Sequence, residues 1–219
     1  MLILALDGAL GRCSAAIWSD GALLAEASHI APRGQAALLP PMVAEVLARA
    51  GVTATALDAV AVGVGPGGFT GLRAALSLAE GLAAAVGTAL IGVTTGEALA
   101  EAVPPARRQG RALWAAIDNK RGNIVLERFA AGSRIPQGSP ETFGIDALPR
   151  HAGPLAIAGD AAALVAATLA ARGIDVLLTE ARLPGAVAVA AIAAARLAGT
   201  LPPRDASPLY AEPPAVRGG

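Results

Sequence analysis

Lysine, cysteine and histidine are nearly missing from this chain, and each shortage closes a class of function. Among 219 residues Lys120 is the only lysine, and 17 Lys and Arg balance 17 Asp and Glu. No global basic field marks a nucleic-acid-binding surface. The single cysteine, Cys13, rules out an internal disulfide framework and fits a reducing compartment. It stands in an alternating apolar strand pattern, where a buried thiol is expected rather than a nucleophile. The two histidines, His29 and His151, form no HExxH or His-x-x-x-His spacing, so no zinc site of that kind is expected. Ser14 and Ser77 have no local base signature for a catalytic triad. The apolar start MLILALDG is broken by Asp7 too early for a secretory core. No apolar run is both long enough and free enough of Gly, Pro and charge to span a membrane. Alanine inflates the mean hydropathy of +0.56. A cytoplasmic protein with no membrane association is expected.

What is present reads as alternating strands and helices. LILALD is a compact strand, and CSAAIWSDGALLAEASH holds two strand-like runs around Asp20-Gly21, a strong hairpin signal. QAALLPPMVAEVLARAG has helical spacing and stops at Gly51, with Pro40 and Pro41 expected near its first turn. LDAVAVGV is a buried strand, LRAALSLAEGLAAAVG a helix, and TALIGV a short strand. TTGEALAEAVPP gives a small helix with Thr95 as its cap, before a polar linker at PPARRQG. The order predicts an α/β layer with a mixed sheet.

Beyond the linker, ALDGALG (5–11) is echoed by AIDNKRG (116–122). PLAIAGD, a helix in AAALVAATLAARG, a strand IDVLL and a helix in AVAVAAIAAARLAG follow. A repeat of this kind implies two related subdomains, over 1–105 and 110–200, with a tail over 201–219. The last helix is expected to pack back on the first half. Asp7 and Asp118 would then close equivalent strands on either side of a cleft. Such a pair either holds Mg²⁺ through water or simply forms turns. The architecture resembles the actin-like ATPase (ribonuclease H-like) superfamily, and IAGDA (157–161) resembles its adenosine-binding turn with one of two usual glycines.

The densest glycine stretch is GVGPGGFTGLR (63–73). It contains G-x-G-x-x-G at Gly63, Gly65 and Gly68, but Phe69 and Thr70 stand where a phosphate-binding P-loop needs Lys and Ser/Thr. The stretch Gly65, Pro66, Gly67, Gly68, Phe69, Thr70, Gly71 and Arg73 resembles the GPGSFTGLR signature of the TsaB (YeaZ) family. LDGALGRCSAAI, AIDNKRGNIV and SPLYAE resemble that family's opening, central and closing segments. Gly8 and Ala9 replace a Thr-Ser pair, Asn119 and Lys120 replace Ala-Arg, and Gln35 lies where many members have His.

The resemblance implies a non-catalytic scaffold subunit of the tRNA threonylcarbamoyladenosine (t6A) transferase complex. Its partners would be TsaD and TsaE, with a homodimer where TsaD is absent and tRNA met only through the complex. No intrinsic cofactor or metal is implied, and ATP or ADP would enter only at a subunit interface. Asp7 and Asp118 would be vestigial, and the two helices after the hairpin would form the partner surface through Leu38, Met42, Ala75, Leu78, Ala79 and Leu82. Ala79 is expected to point outward. The glycine loop itself reads in two ways. It is a ligand cradle at a helix starting from Gly71, or a tight connection with Thr70 as cap, Phe69 as an apolar plug and Arg73 paired to a carboxylate. An autonomous actin-like ATPase or small-molecule kinase is the alternative function.

Overall fold

The computed structural model describes residues 1–210, so the expected tail and the SPLYAE segment both run past the described residues. β1 (Leu2–Asp7) is apolar up to Asp7 and almost wholly buried, as a central strand requires. β2 (Arg12–Ser19) and β3 (Ala22–Ile30) follow through a two-residue turn in which Asp20 and Gly21 have φ of 48° and 87°. Such a turn matches the twist of its flanking strands, which is why Asp-Gly specifies a hairpin.

α1 (Gln35–Ala50) ends on Gly51 in the left-handed conformation. Pro40 and Pro41 are not near the first turn: the helix starts at Gln35, and they fall inside it, on the solvent side. There the carbonyls they leave unpaired can reach water. β4 (Ala59–Gly65) is buried throughout and leads into α2 (Phe69–Val86). That helix begins two residues earlier than expected, with Gly68 at its cap position, so Thr70 lies in the first turn and caps nothing.

β5 (Ala89–Thr94) runs into α3 (Thr95–Glu101), whose cap is Thr94 rather than Thr95. The Thr94 hydroxyl accepts from the Glu97 amide at 2.9 Å, and the Glu97 carboxylate accepts from the Thr94 amide at 2.8 Å. This reciprocal box satisfies two helix-end donors at once. The linker is more ordered than its composition suggested. It holds one turn, α4 (Pro105–Arg108), anchored by the buried Arg108 guanidinium donating to the Val103 and Ser133 carbonyls.

The second half contains β6 (Ala112–Asp118), β7 (Asn123–Phe129), β8 (Glu141–Gly144), β9 (Leu155–Ala158), α5 (Ala162–Ala171), β10 (Val176–Leu178) and α6 (Ala186–Leu197). The IAGDA turn follows β9. One sheet has the order β3-β2-β1-β4-β5 and the other β10-β9-β6-β7-β8, the same order read from the opposite end. In each, the first strand pairs antiparallel with the second and parallel with the fourth. This is the duplicated ribonuclease H-like order of the actin-like fold, two mixed sheets flanked by helices.

α1 and α2 cover one face of the first sheet, burying Leu4, Leu6, Val60 and Val62 against Leu39, Val43, Leu72 and Leu76. The opposite face, with Ile3, Ala5 and Val93, is covered chiefly by α6 through Val189, Ile192 and Ala193. α5 packs on one face of the second sheet, and Leu99 and Ala100 of α3 pack on its other face. By length and composition alone, α2 is also the one described helix apolar enough to cross a membrane. One of its faces, however, is part of the first sheet's core, through Leu72, Ala75, Leu76, Ala79 and Ala83.

Candidate functional site

The ends of β1 and β6 open onto one cleft of about 1040 Å³, lined by residues 8–11, 33–35, 66–71 and 117–121 with Asp160, Leu209 and Tyr210. On the β1 side the glycine loop is interlocked with the strand end. The Gly68 amide donates to the Ala9 carbonyl at 2.7 Å. A Cβ on Gly67 would run into that same carbonyl, one on Gly71 into the Gly8 carbonyl, and one on Gly63 into the Asp7 carboxylate. The reverse also holds, since a Cβ on Gly8 would come 2.8 Å from the Gly71 carbonyl. These glycines therefore serve the tight junction of two backbones.

The two strand-end aspartates differ. Asp7 is fully buried and its side chain does not line the cleft. Oδ1 accepts from the Ala9 amide at 3.2 Å and Oδ2 has no partner among the described residues. Burial pushes the Asp7 pKa up to about 7, against the pull of the Ala9 amide and the Arg12 charge. Asp118 lines the cleft and is bound into a triad. The Lys120 ammonium donates to Asp118 at 2.9 Å and to Asp160 at 3.1 Å, while Asp160 also accepts from the Asp118 amide at 2.9 Å. Burial opposes the charged Asp118 carboxylate, but the Lys120 hydrogen bonds and charge outweigh it and hold its pKa below the usual value. Lys120 reaches this place from a left-handed backbone, with φ 59°. Among the described residues, no group of three or more His, Cys, Asp or Glu is placed to hold a metal ion.

At the lip of the cleft three expectations about the loop are corrected. Phe69 plugs no apolar gap: its side chain is 51% exposed, because the earlier start of α2 turns it to the surface. Arg73 pairs with no carboxylate among the described residues; its guanidinium lies 4.0 Å over the Phe69 ring, and Nε donates to the Tyr210 hydroxyl at 3.0 Å. Phe69 and Tyr210 stack with centroids 5.9 Å apart. Thr70 is exposed.

The expected partner surface divides. Leu38, Leu78 and Leu82 are half-buried, whereas Met42, Ala75 and Ala79 are buried in the first sheet's own core. Ala79 is thus an inward residue, because α2 sits rotated so that 72, 75, 76, 79 and 83 face the sheet. Two residues of the cleft were not foreseen. Asp160 was visible only as part of the IAGDA turn, and Tyr210, the only tyrosine, only as part of the closing segment.

The TsaD family model, tRNA N6-adenosine threonylcarbamoyltransferase, matches residues 28–135. The chain is 38% identical over 129 residues to the Escherichia coli tRNA threonylcarbamoyladenosine biosynthesis protein TsaB, covering 59% of this chain and 55% of that one. It spans about half the length of the curated relatives it matches. Solved structures extend the likeness. YeaZ from Pseudomonas aeruginosa superposes with a TM-score of 0.75 at 28% identity, over 95% of this chain and 100% of that one. A Pseudomonas aeruginosa protein described as similar to peptidase YeaZ gives 0.80 at 28% identity, over 96% and 99%. The interlocked glycine loop and the duplicated fold make the chain similar to the TsaB (YeaZ) family along nearly its whole length.

Proposed function

We propose that this protein is a non-catalytic subunit of the cytoplasmic t6A machinery, holding TsaD for threonylcarbamoyl transfer to the adenosine beside the anticodon. The name of the Escherichia coli relative supports the pathway. The non-catalytic part rests on one observation: the cleft carboxylates are already spent. Lys120 supplies the positive charge between Asp118 and Asp160, and Asp7 is sealed beneath the glycine loop. The residues present therefore do not fit a magnesium–nucleotide pair within this chain alone. The reading gives it no cofactor of its own, and ATP or ADP only where another subunit completes the cleft.

The docking part is supported by the outer face of α2. Around half-buried Leu78 and Leu82 lie exposed Ser77, Gly81, Ala84 and Ala85. Among the described residues a Cβ on Gly81 would meet nothing within 4 Å, so none of them calls for glycine there. Small side chains on a helix face permit close approach of a second helix, and Leu38 on α1 continues the apolar strip. TsaD is the partner in this reading, TsaE a further one, and a second copy of the chain takes the same face when TsaD is absent.

The cleft volume favours a second reading, an autonomous actin-like ATPase or small-molecule kinase. Co-purification with the cognate TsaD, and t6A formation with and without the chain, separates the two. Dependence of t6A formation on the chain is expected, with no ATP turnover by the chain alone. Equal t6A formation by TsaD without it would overturn the proposal.

A further inference from the structure

After α6 the chain does not end at the surface but crosses the first half again. Leu201 is buried, and the Pro202 carbonyl accepts from buried Arg196 at 2.9 Å. The Arg204 carbonyl then accepts from the Gly92 amide at 3.2 Å, and the Asp205 carbonyl lies where a Cβ of residue 92 would stand. Farther on, the Leu209 amide donates to the Val64 carbonyl at 2.7 Å, at the very end of β4. Tyr210 finally meets Phe69 and Arg73, which lie one turn apart at the start of α2. Ten residues without regular secondary structure are thus tied to β5, to β4 and to the start of α2 in succession.

That last contact is singular in its setting. The first turn of α2 has no side-chain cap and no acidic residue. Phe69 and Arg73 point outward, where neither is held by the core. Among the described residues, the Tyr210 side chain fixes them through ring stacking and one hydrogen bond, while the Arg73 guanidinium lies over the Phe69 ring and 5.9 Å from the Tyr210 ring. The glycine loop lies between this contact and the Leu209–Val64 bond, so the strap closes over it from both ends.

We infer that residues 201–210 are a strap, latched by Tyr210, which holds the glycine loop and the first turn of α2 in the shape that α2 presents to a partner. Tyr210 is then a positioning residue: it acts through Phe69 and Arg73 rather than by touching a substrate. The consequence for docking rests on the reading of α2 as the partner helix; the latch itself does not.

Hydrogen exchange on the full chain tests the latch without any partner. In Tyr210→Ala the amides of residues 67–73 should exchange roughly tenfold faster, the scale of one lost aromatic contact, while those of β6 and β9 stay as they were. Tyr210→Phe keeps the ring and should restore most of the protection. Unchanged exchange at 67–73, or an equal rise throughout the chain, would overturn the inference. Titration with TsaD then tests the consequence: Tyr210→Ala should weaken binding by roughly tenfold with an unchanged thermal midpoint. Faster exchange with undiminished TsaD affinity would sink the positioning role. Ala84→Arg distinguishes the two layers. If it too leaves binding intact, the α2 docking reading fails; if it abolishes binding, that reading stands and only the latch's part in it is lost.

Discussion

At Asp7 a carboxyl group is sealed from water with one amide donor for two oxygens. Its folded-state pKa, about 7, lies above the ordinary 3.8, so the folded chain holds this proton more tightly than the unfolded chain does. The stability it lends is complete below about pH 4 and is lost as pH rises through about 7. Asp7→Asn, neutral at every pH, should match the parent near pH 4 and exceed it at pH 8 by on the order of 3 kcal/mol. Urea unfolding at the two pH values measures this, and an equal difference at both would refute it. Lys120 poses the opposite case, a charge that joins two others at the surface. Lys120→Ala should cost less than about 1 kcal/mol, because the side chain is largely exposed. It should also make the thermal midpoint rise with added Mg²⁺ or Ca²⁺, which the parent's should not. A midpoint indifferent to both ions would show that the lysine does not stand in for a cation.

For single elements, α2 separates what a sequence pattern can and cannot orient. Its existence was plain, since Gly87 stops it and the apolar spacing is helical. Its rotation was not. Its polar stripe is short, Thr70, Arg73, Ser77 and Glu80 alone, with alanines to either side of it, and Ala79 was expected outside although its exposure is 0%. Ala79→Arg should therefore cost folding, by about 3 kcal/mol or more, since it forces both volume and charge into a packed site. Gly81→Ala should do the reverse and stabilise the isolated chain by about 0.5–1 kcal/mol, as an exposed mid-helix glycine predicts. If α2 docks as proposed, the bulkier Gly81→Leu should lose TsaD binding while the chain stays folded. Thermal melts alongside titration calorimetry read both quantities. β8 escaped notice for a related reason: ETFG has four residues, half-buried and of mixed polarity, so no period of two could emerge. The β2–β3 hairpin was legible because its turn needs only two residues of defined chemistry.

Across the whole molecule, the two sheets meet around buried charge. Glu97 of α3 and Arg196 of α6 are joined at 2.6 Å, each with its side chain 3% exposed. Beside them the Thr94 hydroxyl donates to Glu127 of β7 at 2.7 Å, bridging first sheet to second. Arg196→Met should leave Glu97 with only the more distant Arg204 guanidinium, 3.7 Å away, and cost about 3 kcal/mol by denaturant unfolding. Adding Glu97→Gln should recover a large part of that loss. No recovery in the double variant would mean the pair is not the source of the cost. The duplicated topology was readable from two Ala-x-Asp strand ends. The closing of the cleft was not, because Lys120 and Asp160 are far apart in sequence and only the fold brings them together.

The return of α6 to the first sheet also bears on how the chain is made. When a ribosome has released residues 1–105, every strand of the first sheet has emerged, but Ile3, Ala5 and Val93 still lack the helix that covers them. That helix, Ala186–Leu197, is among the last structured segments to leave the exit tunnel. Nascent chains must therefore carry an open apolar sheet face through synthesis of the whole second half, a window in which a chaperone is the natural occupant. Ribosome-bound chains stalled before residue 186 should be captured by such a holdase and digested readily by protease, and chains carried out past residue 210 on an added C-terminal linker that spans the tunnel should be neither.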